Sequence, residues 1–378
     1  MPDPIRVGVV GANPTRGWAL GAHLPALAAL PEFELVAVAT TREASARETA
    51  QRFGVPHAFG DPAGLIEHPD VDLVTVSVKV PDHVALVRSA LEAGKHVFCE
   101  WPLAPSSTEA GELLALARAR GVRHVTGLQG RCSPMVNYVR DLLAQGFVGE
   151  LLSVGLTVAL PGPGGVVPED LVWTTDRANG AGTLPIIGGH TLDVLRYIVG
   201  DLVELQSRVA VRWPVATLVG TTRSVPVTSP DSVMVQGRLE RGAFVQVSVL
   251  GGLPGGSGSR LELQGTEGAL VMSGRSVLHG ADTLLGRSTR DGRGELAALR
   301  VPNGYRTGPE ALGPTAARQV AGLYLTLARA IGSGQDPELL EPSFATALSL
   351  HRLLDTIEES SAGPDNRPSR PEPKGTTT

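Results

Sequence analysis

The first residues able to do chemistry lie in a turn, Gly8-Val9-Val10-Gly11-Ala12-Asn13-Pro14-Thr15-Arg16-Gly17-Trp18. It follows a short apolar run and precedes a helical pattern. Glycine in such a turn lets backbone N–H groups approach a pyrophosphate at a helix N-terminus. Gly11 takes the first glycine position. Asn13 replaces the second, as the side chain that best tolerates positive φ after glycine. Gly17 sits one residue beyond the third. Thr15, Arg16 and Trp18 would complete the cradle. The turn alone serves a dinucleotide and a purely structural strand-to-helix turn equally. The next apolar run ends in Thr40-Thr41-Arg42, where an NAD site carries an acid for the ribose 2′-hydroxyl. Hydroxyls and a fixed cation at Thr41 and Arg42 suit a 2′-phosphate better, so NADP is preferred over NAD. The bland alternative is a solvated Arg42 at a helix start.

Elements that alternate in period must position these groups. Ile5–Val10, Leu35–Ala39, Val71–Val78, Val97–Cys99 and His124–Leu128 read as apolar strands. Between them, Trp18–Leu30, Glu43–Phe53, His83–Ala93 and Glu109–Arg120 read as amphipathic helices. This alternation predicts a doubly wound α/β Rossmann domain with a parallel sheet, over residues 1–128. From residue 129 the pattern changes to long strand-like stretches: Leu151–Leu160, Leu202–Trp213, Ser232–Leu239, Ala243–Leu250, Leu261–Gln264 and Ala269–Ser273. Glu240-Arg241-Gly242 and Gly265-Thr266-Glu267-Gly268 read as hairpin turns. With helical patterns at Val136–Gln145, Leu184–Val199, Ala316–Ile331 and Phe344–Glu358, residues 129–359 predict an α+β domain on a large, mostly antiparallel sheet. Residues 360–378, rich in Pro, Ser and Thr, are expected to be a disordered tail.

Composition narrows the classes. The 378 residues carry 33 Lys and Arg against 38 Asp and Glu, a formal charge of −5. That balance argues against nucleic acid as a partner. No apolar run reaches the ~18–20 residues that span a bilayer, and no signal core opens the chain, so neither membrane nor secretion is expected. Two isolated cysteines, Cys99 and Cys132, fit a reducing cytoplasm. The nine histidines show no His-Glu-x-x-His and no ligand spacing, so no metal is expected. There is no Gly-x-Ser-x-Gly elbow and no P-loop lysine. Gly251–Ser259 lies between two strands and reads as a hairpin connection rather than a phosphate cradle.

Ala93-Gly94-Lys95-His96-Val97-Phe98-Cys99-Glu100-Trp101-Pro102-Leu103 closely resembles a signature of the Gfo/Idh/MocA oxidoreductase family. Gly11-Ala12-Asn13 with Gly17-Trp18, Glu100-Trp101, Leu128-Gln129-Gly130-Arg131-Cys132-Ser133-Pro134 and Gly189-His190-Thr191-Leu192-Asp193 are closer to the branch that holds the fungal galactose regulatory repressor and bacterial oxidoreductases. The resemblance spans residues 5–355. It implies hydride transfer between NAD(P) and a sugar, cyclitol or related small molecule, or a regulator that keeps only the dinucleotide pocket. It also implies a homodimer or homotetramer through the open sheet. Lys79, His83, Glu100, Trp101 and Gln129 would line the cofactor.

Oxidising a carbinol requires a base for the hydroxyl proton and a cation for the developing alkoxide. In catalytic members a Lys within Glu-Lys-Pro and an Asp-x-x-x-His pair serve that hydroxyl. Here the Lys position holds Trp101, the Asp position holds Ile186, and the His matches His190. Asp193, three residues on, shares a helical face with His190 and is placed to orient or charge it. Otherwise the two are a hydrogen-bonded pocket histidine and a helix-face carboxylate. Trp101 would wall the pocket or, alternatively, fill the missing Lys volume. Arg131, Tyr138 and Trp173 are expected at the substrate. Trp173 falls in the Pro/Gly-rich stretch Pro161–Gly182, long enough to form a rim.

Overall fold

The computed structural model describes residues 3–159, 164–253, 255–276, 283–289, 295–334 and 339–363. The segment expected as a tail falls outside these residues from 364 onward. Six strands form the N-terminal sheet: β1 (Ile5–Val10), β2 (Phe33–Ala39), β3 (His57–Phe59), β4 (Leu73–Val76), β5 (His96–Glu100) and β6 (His124–Gly127). All pairings are parallel and the order is β3-β2-β1-β4-β5-β6. Chain direction across the sheet reverses beside β1, which opens a crevice at the C-terminal strand ends. The apolar runs form strands because both faces are covered; Val7 and Val9 have no exposed surface.

Helices α1 (Leu24–Ala28), α2 (Glu43–Phe53), α3 (Pro62–Ile66), α4 (His83–Glu92) and α5 (Ser107–Arg120) alternate with these strands. In α5 the Ser106 hydroxyl accepts from the Glu109 N–H at one end, and Gly121 at φ 63° ends the other. The helix expected from Trp18 begins later. A π-helical turn, Ala19–His23, leads into α1 and buries His23.

The second part adds α6 (Pro134–Ala144), β7 (Leu151–Ala159), β8 (Val166–Val167), α7 (Gly189–Val199), β9 (Leu202–Ala210), β10 (Val215–Leu218), β11 (Ser224–Pro226), β12 (Ser232–Leu239), β13 (Phe244–Leu250), β14 (Gly258–Gly265), β15 (Gly268–Gly274), β16 (Thr283–Ser288), β17 (Ala297–Ala298), α8 (Ala316–Gly332) and α9 (Phe344–Ala362). Its main sheet runs β17-β16-β15-β14-β7-β13-β12-β9 and is antiparallel except where β7 meets β13. A small sheet, β11-β10-β8, was not expected from the sequence. Alternation divides the main sheet. Val233, Val235, Val245, Val247 and Val249 are buried, whereas Met234 and Phe244 on the other face are 55% and 69% exposed.

Two late helices return to the first domain. On α8, Val320, Leu323, Tyr324 and Leu327 join a core with Val7, Val9, Leu24, Leu27 and Phe98. α9 packs on both α5 and β9. It continues through Ala362, past the expected start of the tail, because Ser360 and Ser361 hydroxyls accept from the Ser207 and Val209 N–H groups on the edge strand β9. Leu327→Ala therefore should lower the unfolding free energy by about 2–5 kcal/mol, read by urea denaturation. A change within that of an exposed helix substitution would show that α8 is not part of the core.

Candidate dinucleotide and substrate site

The amino-terminal turn closes on the end of β4. Gly11 has φ +95°, and a Cβ there would lie 2.1 Å from the Ser77 carbonyl oxygen, so only glycine fits. Asn13 does not take the positive φ expected of it; among the described residues only glycines do. Gly17, at φ +98°, does. Asn13 instead gathers donors. Its Oδ1 accepts from the Thr15 N–H at 3.0 Å, the Thr15 hydroxyl at 3.0 Å and the Arg16 N–H at 3.2 Å. Donors that converge on one oxygen are those an anionic phosphate oxygen would take. Thr15, Arg16 and Gly17 are exposed, and Trp18 is half-buried beside them. Arg16 reaches across to the second domain, 3.3 Å from Asp170.

At the end of β2, Thr41 and Arg42 are exposed. The Thr40 hydroxyl is held inward by the Arg42 carbonyl and Ser45. The nearest acid in sequence, Glu43, is paired with Arg47. Lys79 is exposed just past β4. His83 is 1% exposed, with Nδ1 2.8 Å from the Pro102 carbonyl oxygen and Nε2 3.2 Å from that of Val78. A neutral imidazole donates to one of these carbonyls, and with both nitrogens facing backbone oxygens the ring is turned away from the cofactor role expected of it. Burial holds its pKa below the usual histidine value.

Glu100, at the end of β5, is part of a buried chain of hydrogen bonds. Its Oε1 lies 2.8 Å from His23 Nε2; His23 Nδ1 lies 2.9 Å from the Tyr324 hydroxyl, which lies 2.8 Å from that of Thr75. An ionised Glu100 places the imidazole proton on Nε2, so Nδ1 accepts from Tyr324 and Tyr324 accepts from Thr75. Burial raises the Tyr324 pKa and keeps its proton in place. On β6, Gly127 leaves room for the carboxylate; a Cβ there would sit 2.5 Å from Oε2. Among the described residues Oε2 accepts no hydrogen bond. The Gln129 carbonyl oxygen, just past β6, is buried without a partner. Two unpartnered acceptors on adjacent strand ends, that of Gln129 buried, suit a ligand that presents hydroxyl and amide donors, as a nicotinamide riboside does. The residues present therefore fit a dinucleotide.

Trp101 is not an open pocket wall. It is 4% exposed, and its Nε1 donates to the Pro185 carbonyl at 2.8 Å. A Cβ on Gly189 would lie 2.4 Å from that nitrogen, and the His351 ring centroid is 4.5 Å from the indole's. The indole thus fills the volume between β5 and the start of α7. His190 is the next residue of α7 and is half-buried. Asp193 does not serve His190 as expected. Its carboxylate accepts from Arg131 Nε at 3.1 Å and Nη2 at 2.7 Å, and Arg131 Nη1 meets Glu341 at 2.6 Å. Two carboxylates on one guanidinium also remove Arg131 from substrate binding.

Tyr138 packs on Tyr305, with ring centroids 5.2 Å apart. Trp173 is half-buried in a 3₁₀ segment, Glu169–Thr175, and its carbonyl accepts from Asn179 within the same stretch. That stretch does border the site. Asp170 meets Arg16, and Gly180 lies against Pro105, where a Cβ would come 2.3 Å from Pro105 Cα. Residues 161–163 at its start lie outside the described residues.

One cluster escaped the sequence reading, which expected no histidine grouping. His57, His68 and Asp70 bring potential ligand atoms within 4.8 Å of one another. The protein's own bonds occupy part of the set: Asp70 Oδ1 accepts from Arg6 at 2.8 Å, and His68 Nδ1 accepts from the Asp70 N–H at 3.2 Å. His23 and Tyr324 were also missed. No helix among the described residues is long and apolar enough to cross a membrane.

Two measurements check this geometry. Arg131→Met strands Asp193 in the core and should cost about 3–5 kcal/mol of stability. His351 is buried with Nε2 unpartnered, and desolvation lowers its pKa from 6.5 to about 4. The unfolded chain then binds a proton that the folded chain refuses between those values. Stability from this group is present above pH 6.5 and falls by about 3 kcal/mol as pH drops toward 4. His351→Leu should flatten that limb; an unchanged slope would remove His351 as its source.

Residues 5–128 match the family model GFO_IDH_MocA, described as an oxidoreductase family with an NAD-binding Rossmann fold, and residues 134–274 match the Gal80p C-terminal domain. The dehydrogenase aclE of Aspergillus oryzae is 31% identical over 258 residues, covering 63% of this chain and 68% of that protein. The galactose/lactose metabolism regulatory protein GAL80 of Saccharomyces cerevisiae is 27% identical over 408 residues, covering 94% of this chain and 92% of that one. Levoglucosan dehydrogenase, in its complex with NADH and L-sorbose, superposes with a TM-score of 0.82 at 25% identity, covering 95% of this chain and 97% of that chain. An all-parallel 3-2-1-4-5-6 sheet, a glycine turn on its β1 edge and these likenesses together establish that the chain belongs to the Gfo/Idh/MocA oxidoreductase family and carries a Gal80-like second domain.

Proposed function

We propose that the protein is an NAD(P)-dependent oxidoreductase that transfers a hydride to or from a sugar, cyclitol or related hydroxylated natural product. The observation that carries this reading is the pair of unfilled acceptors, Glu100 Oε2 and Gln129 Oε1, at strand ends that share the sheet rim with an exposed donor turn. A bound nicotinamide supplies or takes up the hydride. Gly11–Trp18 hold the pyrophosphate, and Glu100 and Gln129 hold the nicotinamide end. Thr41 and Arg42 hold the adenosine ribose. With no acid there and a guanidinium without a partner among the described residues, NADP is preferred. His190 exchanges the hydroxyl proton.

Trp101 brings no charge to the reacting oxygen, because its one N–H is given to Pro185. A missing charged donor costs ~10²–10³ in rate. The substrate is therefore one whose alkoxide needs less help, such as an activated carbinol or its ketone. The sugar class is supported by the relative crystallised with L-sorbose. The exposed face of the large sheet, with Met234 and Phe244, supports a homodimer or homotetramer. Two free cysteines support a cytoplasmic site, and the proposed chemistry calls for a small-molecule substrate.

The occupied indole also favours a second reading, a dinucleotide-binding regulator without turnover. NADPH and NADH fluorescence titrations, followed by a sugar and keto-sugar panel, separate the two. Turnover that falls ~10²–10⁴-fold in His190→Ala is expected for the enzyme. Cofactor binding with no turnover selects the regulator, and binding of neither cofactor overturns both. Arg42→Ala should weaken NADPH about 10–100-fold while sparing NADH; equal losses would remove the NADP preference.

A further inference from the structure

A cavity of about 760 Å³ lies between α6, α8 and the turn at Asn303–Tyr305. None of the residues assigned to the dinucleotide or to His190 lines it. Its size falls within the ~300–1,000 Å³ of small-molecule sites. Arg131 forms one wall and is already held by Asp193 and Glu341. Arg140 and Arg329 are differently placed. Arg140 lies over the Tyr197 ring at 4.4 Å, and its carboxylate contact is Asp141 at 3.5 Å. The other oxygen of Asp141 accepts from the Tyr305 hydroxyl at 2.9 Å. Arg329 bonds within its own helix, to the Leu325 carbonyl and the Thr326 hydroxyl, and meets no carboxylate among the described residues.

A guanidinium has five N–H donors, so Arg140, 39% exposed, and Arg329, exposed, both keep donors that the protein leaves unused at the cavity lining. Glu32, also exposed, lines the same cavity, and its carboxylate makes no hydrogen bond among the described residues. Tyr197 and Tyr305 add flat apolar faces, while their hydroxyl protons go to Asn137 and Asp141. Cys132 adds a neutral floor, since burial pushes its thiol up to about 12. Guanidiniums favour an acid group, and tyrosine faces accept a sugar ring.

We propose that this cavity is a second ligand site, which binds a hydroxylated anion of sugar size, a sugar phosphate or a sugar acid, through Arg140 and Arg329. Isothermal titration of the full chain, saturated with its cofactor, tests this with glucose 6-phosphate, gluconate and neutral glucose. One of the anions is expected to bind at one site per chain and glucose is not; whichever binds identifies the acid group. Arg140→Ala with Arg329→Ala should weaken that binding at least tenfold and leave the NADPH titration unchanged. Ala328→Phe, which fills the cavity without removing a charge, should do the same and guards against a misfolded double variant. His190→Ala should leave the anion bound, which separates this site from the proposed substrate site. No heat with either anion at millimolar concentration, binding that survives both cavity variants, or binding lost in His190→Ala would overturn the proposal. None of these outcomes depends on turnover.

Discussion

A carboxylate at the end of a central strand has to be kept charged and aimed, and the fold is arranged around doing so. Glu100 sits where β5 leaves the sheet, with 12% of its side chain exposed. Burying a charge is tolerated only with a partner. Here the partner is His23, on the turn of helix that follows the glycine bend, and His23 is fixed by Tyr324, which arrives on α8 from late in the chain. The chain of bonds finishes at Thr75 inside β4. Four elements distant in sequence are thus joined in one line of hydrogen bonds that ends on Oε1 of Glu100, and Oε2 is left for a ligand.

This explains why α8 belongs physically to the first domain although it follows the second in sequence. Its apolar stripe closes the sheet face that α1 covers incompletely, and Tyr324 sends its hydroxyl into the polar chain. The second domain in turn leans on the first through Trp101, whose indole packs on Gly189 and so seats the helix that carries His190. Both joints place apolar bulk between the two parts of the chain.

The period of the strands and helices made the Rossmann sheet legible, because buried parallel strands leave unbroken β-branched runs such as Ile5–Val10. The mostly antiparallel character of the second sheet was equally legible, because strand-like stretches such as β12 and β13 follow one another without an intervening helix. Side-chain pairing was not. Asp193 follows His190 by three residues, yet it pairs with Arg131, because an ionised group that is 2% exposed goes to the nearest guanidinium rather than to a neighbour along the helix. Asn13 was read for its backbone tolerance, but its amide oxygen proved the useful part. His23 and Tyr324 carry no local pattern at all, since their meaning arises only when residues about three hundred apart touch. The small sheet was hidden by its two- and three-residue strands.

The glycine beside His190 has a consequence for how this chain relates to its charged relatives. Gly189 is tolerated, and needed, because an indole presses on it; exchange of that indole for a lysine would open a hollow bordered by the buried imidazole of His351. Asp193, one turn further along the same helix, is already committed to Arg131. A different side chain at 101 would therefore need adjustment at Gly189 and His351 as well, so the indole and its neighbours act as one packed unit rather than as independently exchangeable positions.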